Sequence, residues 1–178
     1  MPASITATEN TKPLPRGIRN NNPGNIRHSL AAWIGKSVKQ GDESFVCFKS
    51  ADYGIRAMAR ILINYQKRYK LKTINKMISR WAPPNENKTD AYINYVSKAI
   101  GIDKDQEINL IDDKIVFMRF ISAIIDKENG KPQWYGRNTW YDNSMLIRGI
   151  TMAINPEPSK SEDRSISHTQ IIEHFRNA

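Results

Sequence analysis

Residues 50–70 read SADYGIRAMARILINYQKRYK, and their apolar side chains recur every three or four positions. This spacing places the apolar side chains on one face of a helix, which Ser50 is suited to cap. The stripe comprises Ile55, Met58, Ala59, Leu62, Tyr65 and Tyr69. The stretch therefore predicts an amphipathic helix over about 51–70 whose apolar face is covered by the rest of the chain.

Four further helices are predicted downstream, because the same spacing recurs between capping and helix-breaking residues. The second helix follows Thr73 and stops at Pro83 and Pro84, since proline cannot continue a helix. The other three cover about 89–100, 113–129 and 141–154, and their stops are Gly101, Gly130 and Asn155.

A different pattern between Trp33 and Lys49 predicts a β-hairpin. The segments WIGKSVK (33–39) and SFVCFK (44–49) are enriched in β-branched and aromatic residues, and they flank the polar sequence QGDE (40–43). With the five helices, this pattern predicts an α+β fold that is mostly helical and has one small β-hairpin lobe.

Three regions are expected along the chain. Residues 1–15 contain three prolines and little apolar periodicity, which predicts a flexible N-terminal arm. The predicted domain spans 16–155. Residues 156–178 predict a polar linker followed by a short C-terminal helix.

The composition excludes several classes of protein and indicates an anionic partner. The chain has 178 residues with a formal charge of +9, and residues 1–80 contain 15 of its 27 basic residues but only 4 of its 18 acidic ones. A one-sided excess of this kind indicates a polyanionic partner, or else a solvated basic surface. Cys47 alone cannot form an intramolecular disulfide. No apolar run approaches the roughly 20 residues that span a bilayer, and the N-terminus lacks the apolar core of a secretory signal.

The familiar catalytic motifs are missing from the sequence. His28, His168 and His174 show no zinc-ligand spacing, and there is no P-loop, GxSxG or GxGxxG motif. We therefore expect no metal and no cofactor, which leaves carboxylates as the candidates for chemistry.

The most informative carboxylate is Glu128, which ends a helix whose inward face carries Met118, Ile121 and Ile125. Burial among apolar side chains favours the protonated form of a carboxyl, which suits a general acid. Cleavage of a glycosidic bond needs such a proton donor. The alternative is that Glu128 turns outward at the helix end and contacts water.

Glycosidases commonly use a second carboxylate, and three candidates are available. Asp42 and Glu43 lie at the predicted hairpin tip, where turn formation alone can explain them. Glu86 lies in the loop WAPPNEN (81–87), where it can instead cap the helix that begins at Thr89. Loop aromatic residues are candidates for stacking on sugar rings or for filling the core beneath loops, and they are Trp33, Trp81, Trp134, Tyr135 and Trp140.

Two loop motifs resemble those of a known family. RGIRNNNPGNIR (16–27) and WAPPNEN (81–87), with FVCFKSADYGIRA (45–57) between them and ENG (128–130) after them, are similar to phage-encoded virion-associated or endolysin-type peptidoglycan hydrolases. Further matching positions are Trp33, Gly35, Thr89 and Tyr92. The resemblance covers about residues 16–130 and implies a lysozyme-like fold.

A more distant similarity is to flagellar-type glucosaminidases. In that family a helix ending in Glu-Ser-Gly precedes an Asn-x-x-Gly-Ile loop, a Trp-Gly hairpin and a Thr-Asp-x-x-Tyr helix. Residues 22–26, 33–35 and 89–92 keep this order, but the Glu-bearing helix, FISAIIDKENG (120–130), comes last. The resemblance therefore implies a circularly permuted lysozyme-like domain.

The permuted arrangement implies Glu128 as the general acid; without permutation, Glu86 or Glu43 would take that role. Asp42 or Glu43 would position water or stabilise the oxocarbenium-like state, or the sugar's own 6-hydroxyl would attack, as in lytic transglycosylases. The substrate contacts implied by the resemblance are Asn22, Gly24, Asn25, Ile26, Tyr92, Trp33 and Trp81.

The sequence thus predicts an enzyme that cleaves peptidoglycan glycan strands as a muramidase, glucosaminidase or lytic transglycosylase of phage or prophage origin. Without a signal peptide, it would be made in the cytoplasm and reach the periplasmic wall through a virion, a holin or a secretion machine. Its terminal segments would contact virion or secretion-system proteins. The alternatives are a non-enzymatic virion or wall-binding protein with the same fold and, last, a nucleic-acid binder, for which no motif is present.

Overall fold

A computed structural model of the chain describes residues 12–85 and 88–155. Its helices are α1 (Arg16–Arg19), α2 (Ala51–Lys67), α3 (Ile74–Trp81), α4 (Thr89–Ile100), α5 (Lys114–Asn129) and α6 (Asn143–Ile154). A short 3-10 helix, Pro132–Tyr135, lies between α5 and α6. The mostly helical class that the periodicity predicts is therefore confirmed.

Local capping chemistry explains where several helices begin and end. The side chains of Thr73, Asp113 and Asp142 each accept hydrogen bonds from backbone N–H groups in the first turn of α3, α5 and α6. Helix α2 ends at Lys67 rather than at residue 70, because Lys70 adopts a left-handed backbone conformation with φ of 56°.

Helix α2 lies at the centre of the core. Its side chains Ile55, Met58 and Leu62 are fully buried, as the apolar stripe predicts. Helix α6 packs along α2 and approaches it closely at Gly149, where an added Cβ would lie 2.6 Å from Ile55 Cγ2. Helix α5 packs against both α4 and α6. This packing brings the C-terminal end of α5 towards the first loop of the chain.

The predicted hairpin between Trp33 and Lys49 is not present as a pair of strands, since the described residues form only isolated antiparallel bridges. The side chain of Gln40 explains why a ladder does not continue. Its amide donates to the carbonyl oxygens of Ser37 and Cys47 at 2.7 and 2.8 Å, and its oxygen accepts from the Cys47 N–H at 2.8 Å. A side chain thus satisfies backbone groups that a neighbouring strand would otherwise pair.

The asparagine-rich loop after α1 is ordered by its own side chains. Asn22 is completely buried, and its amide donates to the carbonyl oxygens of Ile26 and Val46 at 2.8 Å each. The loop lies directly on α2, where a Cβ at Gly54 would come within 2.0 Å of the Asn21 carbonyl oxygen. Only glycine permits this approach, so the loop has a fixed position on the core.

Several predictions lie outside the described residues. They concern Glu86, His168, His174, most of the N-terminal arm (1–11), and the polar linker with its C-terminal helix (156–178). The proposed domain boundaries at 16 and 155 stay a prediction. Among the helices of the described ranges, none combines the length and apolar character needed to cross a bilayer.

Candidate functional site

Glu128 lies in the last turn of α5, partly buried, and three hydrogen-bond donors from different elements converge on its carboxyl group. Tyr92 Oη of α4 and Trp81 Nε1 at the end of α3 donate to Oε1 at 2.9 and 3.2 Å. Asn25 Nδ2, from the asparagine-rich loop, donates to Oε2 at 3.2 Å. Glu128 is therefore turned into the protein and held at both oxygens.

The phenol of Tyr92 is a dependable donor in this cluster. Its burial and, after that, the neighbouring negative charge of Glu128 raise the pKa of Tyr92 well above its ordinary value. The phenol therefore stays protonated at physiological pH, and its O–H group donates a hydrogen bond to the carboxylate. All three donors are neutral groups, so the described contacts of Glu128 include no ion pair.

Asn129, the residue after Glu128, ties the asparagine-rich loop to α5. Its buried amide donates to the carbonyl oxygen of Pro23 at 2.8 Å and to that of Ile125 at 2.9 Å. One side chain thus closes the last turn of the helix and fixes the loop that carries Asn25. The position of Asn25 against Glu128 depends on this link.

Gly17 packs against the same link. A Cβ at this residue would lie 2.5 Å from Asn129 Oδ1, 2.7 Å from Asn25 Oδ1 and 2.9 Å from the Asn22 carbonyl oxygen. No side chain fits there without displacing those oxygens. Gly17 therefore permits the close packing of α1, the loop and the end of α5.

The structure divides the predicted substrate contacts into two groups. Asn25, Trp81 and Tyr92 meet at Glu128, and their role as substrate contacts stays a prediction. Asn22, Gly24 and Ile26 are the buried residues of the loop, and Gly24 lies close to Met58 and the Trp81 ring. These three residues therefore belong to the buried part of the loop, and Asn25 is the loop residue whose side chain reaches the carboxyl.

Trp33 is not part of this cluster of contacts. It is partly buried and packs against the hydrophobic core. Its indole N–H is buried and has no hydrogen-bond partner in the described part of the chain.

Asp42 is held both by residues of α1 and its C-terminal end and by the backbone of its own loop. Its carboxylate forms a bidentate ion pair with Arg16 at 2.5 and 2.6 Å. It also accepts a hydrogen bond from Asn20 Nδ2 at 2.8 Å. The N–H groups of Ser44 and Phe45 donate to the same carboxylate at 3.0 and 2.9 Å. The hydrogen-bonded Arg16 guanidinium is the main cause that holds the pKa of Asp42 well below its ordinary value.

The other candidate carboxylate of the described tip, Glu43, is exposed. No described hydrogen bond joins Asp42 or Glu43 to Glu128. Within residues 12–85 and 88–155 no group of three His, Cys, Asp or Glu side chains is placed to hold a metal ion.

Sequence reasoning missed the roles of Asn129 and Gly17. Asn129 precedes Gly130, which ends α5 with a φ of 79°. An asparagine at the last position of a helix commonly bonds nearby backbone, and that was the available signal. Nothing in the sequence around Gly17 indicates that its neighbours in space include a residue 112 positions away.

Comparison with known proteins gives one informative similarity. Protein P5 of Pseudoalteromonas phage PM2 is 45% identical over 118 residues, which amount to 65% of this chain and 71% of that protein. No protein-family model matches the chain.

Proposed function

The chain belongs to the family of the phage PM2 protein P5, and from the surroundings of Glu128 we propose that it cleaves the glycan strands of peptidoglycan. The observation that carries this proposal is the convergence of Tyr92, Trp81 and Asn25 on one partly buried carboxyl. We assign the permuted lysozyme-like arrangement on the same grounds, because the loop that begins the domain meets the helix end that carries the glutamate.

In the proposed reaction, protonated Glu128 donates its proton to the glycosidic oxygen as the bond from that oxygen to the anomeric carbon breaks. The three donors hydrogen-bond the carboxylate that is left, and so stabilise it. The same carboxylate then takes the proton of the attacking hydroxyl as the new bond to the anomeric carbon forms. Glu128 ends the cycle protonated, and every proton is accounted for.

The attacking group that best fits these contacts is the sugar's own 6-hydroxyl. Attack by water in a glycosidase commonly uses a second carboxylate opposite the acid. Asp42 already accepts five hydrogen bonds from Arg16, Asn20 and two backbone N–H groups. Glu43, which is exposed and makes no such bonds, is the remaining described candidate for a hydrolytic route.

The basic surface fits a polyanionic wall. Lys67, Lys70 and Lys72 line an open groove of about 460 Å³ beside the segment from Glu107 to Ile111. The ion pair between Lys72 and Glu107, at 3.5 Å, neutralises part of this charge. We propose that the remaining positive charge faces wall carboxylates, and that a virion, a holin or a secretion machine brings the protein to the periplasm.

The test is turbidity clearing of purified sacculi by the wild type and by Glu128→Gln, which keeps the shape of the side chain but cannot donate a carboxyl proton. We expect a loss of roughly 10²- to 10⁴-fold, the usual contribution of a general acid. Equal clearing by the variant would refute the assignment of Glu128. No clearing by the wild type would refute the enzymatic proposal and favour a non-enzymatic virion or wall-binding protein.

Mass spectrometry of the released muropeptides identifies the attacking group. Anhydro ends are expected from attack by the 6-hydroxyl, whereas reducing ends would show that water attacks. In the second case Glu43→Gln is the variant to examine, with Asp42→Asn beside it.

A further inference from the structure

Trp134 is a large apolar side chain on the surface, with 63% of its area exposed. It belongs to the 3-10 helix that follows α5, and its six-membered ring covers Gly130. A Cβ at Gly130 would lie 3.0 Å from Trp134 Cζ3 and 3.1 Å from Cε3. One edge of the indole is therefore fixed against the protein while most of the ring faces solvent.

Contacts of the neighbouring residues keep Trp134 at the surface. Tyr135, the next residue, turns inward and packs on Trp140 with ring centroids 5.2 Å apart. Trp140 is buried, and its Nε1 donates to the Gly130 carbonyl oxygen at 2.9 Å. The Trp134 N–H donates to the Lys131 carbonyl oxygen at 3.1 Å. These contacts anchor the residues on both sides, so Trp134 is held outward.

Trp134 packs on the end of the helix whose last turn carries the carboxyl that is proposed to act. Gly130, beneath its ring, follows Glu128 by two residues, so the two Cα atoms are at most ~7.6 Å apart. Lys127 is also at this end of α5, with its ammonium 5.6 Å from the centre of the Tyr92 ring. Lys131 and Arg137 are exposed in the same segment. Three cationic side chains therefore lie within seven residues of Trp134 in the sequence, at the same end of α5.

An exposed aromatic face in a segment rich in cationic side chains suits a particular ligand. The C–H groups on one face of a pyranose ring pack well on an indole, while carboxylates on the same polymer pair with ammonium and guanidinium groups. We propose that Trp134 is a stacking platform for a sugar ring of an acidic glycan strand, next to the bond presented to Glu128. This inference rests on the proposed function and adds a binding residue to it.

The test compares Trp134→Ala with Ile115→Ala in the Glu128→Gln protein, which is expected to bind sacculi without cleaving them. Ile115 is a matched control, because it is 62% exposed and lies in the first turn of α5, the opposite end from Glu128. We expect Trp134→Ala to weaken co-sedimentation with sacculi roughly tenfold, in line with aromatic stacking on other ring ligands. Trp134→Phe should restore part of the binding, and Ile115→Ala should change little.

The outcomes separate this inference from the proposed function. Equal binding by the Trp134→Ala and Ile115→Ala proteins would overturn the stacking platform, while clearing of sacculi by the otherwise wild-type protein would leave the enzymatic proposal intact. If the wild-type protein does not clear sacculi and the Glu128→Gln protein does not bind them, both the enzymatic proposal and the stacking platform are refuted. Thermal unfolding of each variant should match that of its parent within a few degrees, and a larger fall for Trp134→Ala would assign the residue a structural role instead.

Discussion

The side-chain amide of Asn25 donates to Glu128 Oε2 at 3.2 Å, which joins residues 103 positions apart in the chain. The first loop of the domain and the end of its fifth helix therefore form one site. A second hydrogen bond, from Asn129 Nδ2 to the Pro23 carbonyl oxygen at 2.8 Å, joins the same loop and helix end. Together the two contacts place the loop, the helix end and the carboxyl in one rigid arrangement.

Tyr92→Phe should slow the clearing of sacculi roughly ten- to hundredfold. The substitution removes the 2.9 Å hydrogen bond to Glu128 Oε1, and a hydrogen bond to a charged group contributes about 1.5–3 kcal/mol. The measurement is the initial rate of turbidity loss. Tyr95→Phe, one turn further along α4, is the matched control and should change the rate much less. Equal rates in the two variants would argue against a role for the Tyr92 hydroxyl.

Gly17→Ala should lower both stability and activity. The new methyl group would have to displace Asn129 Oδ1 and Asn25 Oδ1, which lie 2.5 and 2.7 Å from the Cβ position. Overpacking of this kind costs about 1–3 kcal/mol, and the shift of Asn25 would loosen its hydrogen bond to Glu128. Thermal unfolding and clearing rates give the two readouts. Gly41→Ala is the control, since a Cβ there meets no atom within 4 Å.

Asp42→Asn should reduce stability at neutral pH by an amount that shrinks in acid. Arg16 holds the folded-state pKa of Asp42 below the ordinary value of about 3.9. The carboxylate therefore contributes its full stability above that value, and the contribution is lost as pH falls through the folded-state pKa. Melting curves at pH 7 and near pH 2 should show a gap between wild type and variant that is smaller at the lower pH. Glu43→Gln, the neighbouring exposed position, should show little difference from wild type at either pH.

Gln40→Ala should destabilise the loop region by about 1–2 kcal/mol, because the Cys47 N–H and the Ser37 and Cys47 carbonyl oxygens lose a partner. Denaturant unfolding measures the loss in free energy. Val38→Ala serves as the control, since Val38 is 98% exposed and its truncation removes no buried contact. A Gln40→Ala protein as stable as the control would mean that water replaces the lost hydrogen bonds without cost.

The helices could be predicted from the sequence because their signals are local. Apolar spacing marks the buried face of α2, and Asp113 and Gly130 mark the two ends of α5 within a few residues of the helix itself. The resemblance to lysozyme-like enzymes named Tyr92 and Trp81 as substrate contacts, and their hydrogen bonds to Glu128 were found only in the structure. Periodicity alone placed Glu128 on an inward face and named none of its partners.

The remaining features depend on side-chain contacts that follow no helix or strand spacing in the sequence. Gln40 bonds to the Cys47 backbone in place of a strand partner, and the hairpin predicted around it is not confirmed as a pair of strands. Arg16 and Asp42 pair across 26 positions, and Asn129 bonds across 106 to the Pro23 carbonyl. Contacts of this kind leave no periodic pattern in one sequence, so they could only be found in the folded chain.

The order in which the site residues occur along the chain also has a consequence for biosynthesis. Asn25, Trp81 and Tyr92 all leave the ribosome before Glu128, and Asn129, which joins the loop to the helix end, comes directly after it. A nascent or prematurely terminated chain that ends before residue 128 has the donors without the carboxyl. The cluster can therefore be completed only by chains synthesised beyond the end of α5, whichever part of the site folds first.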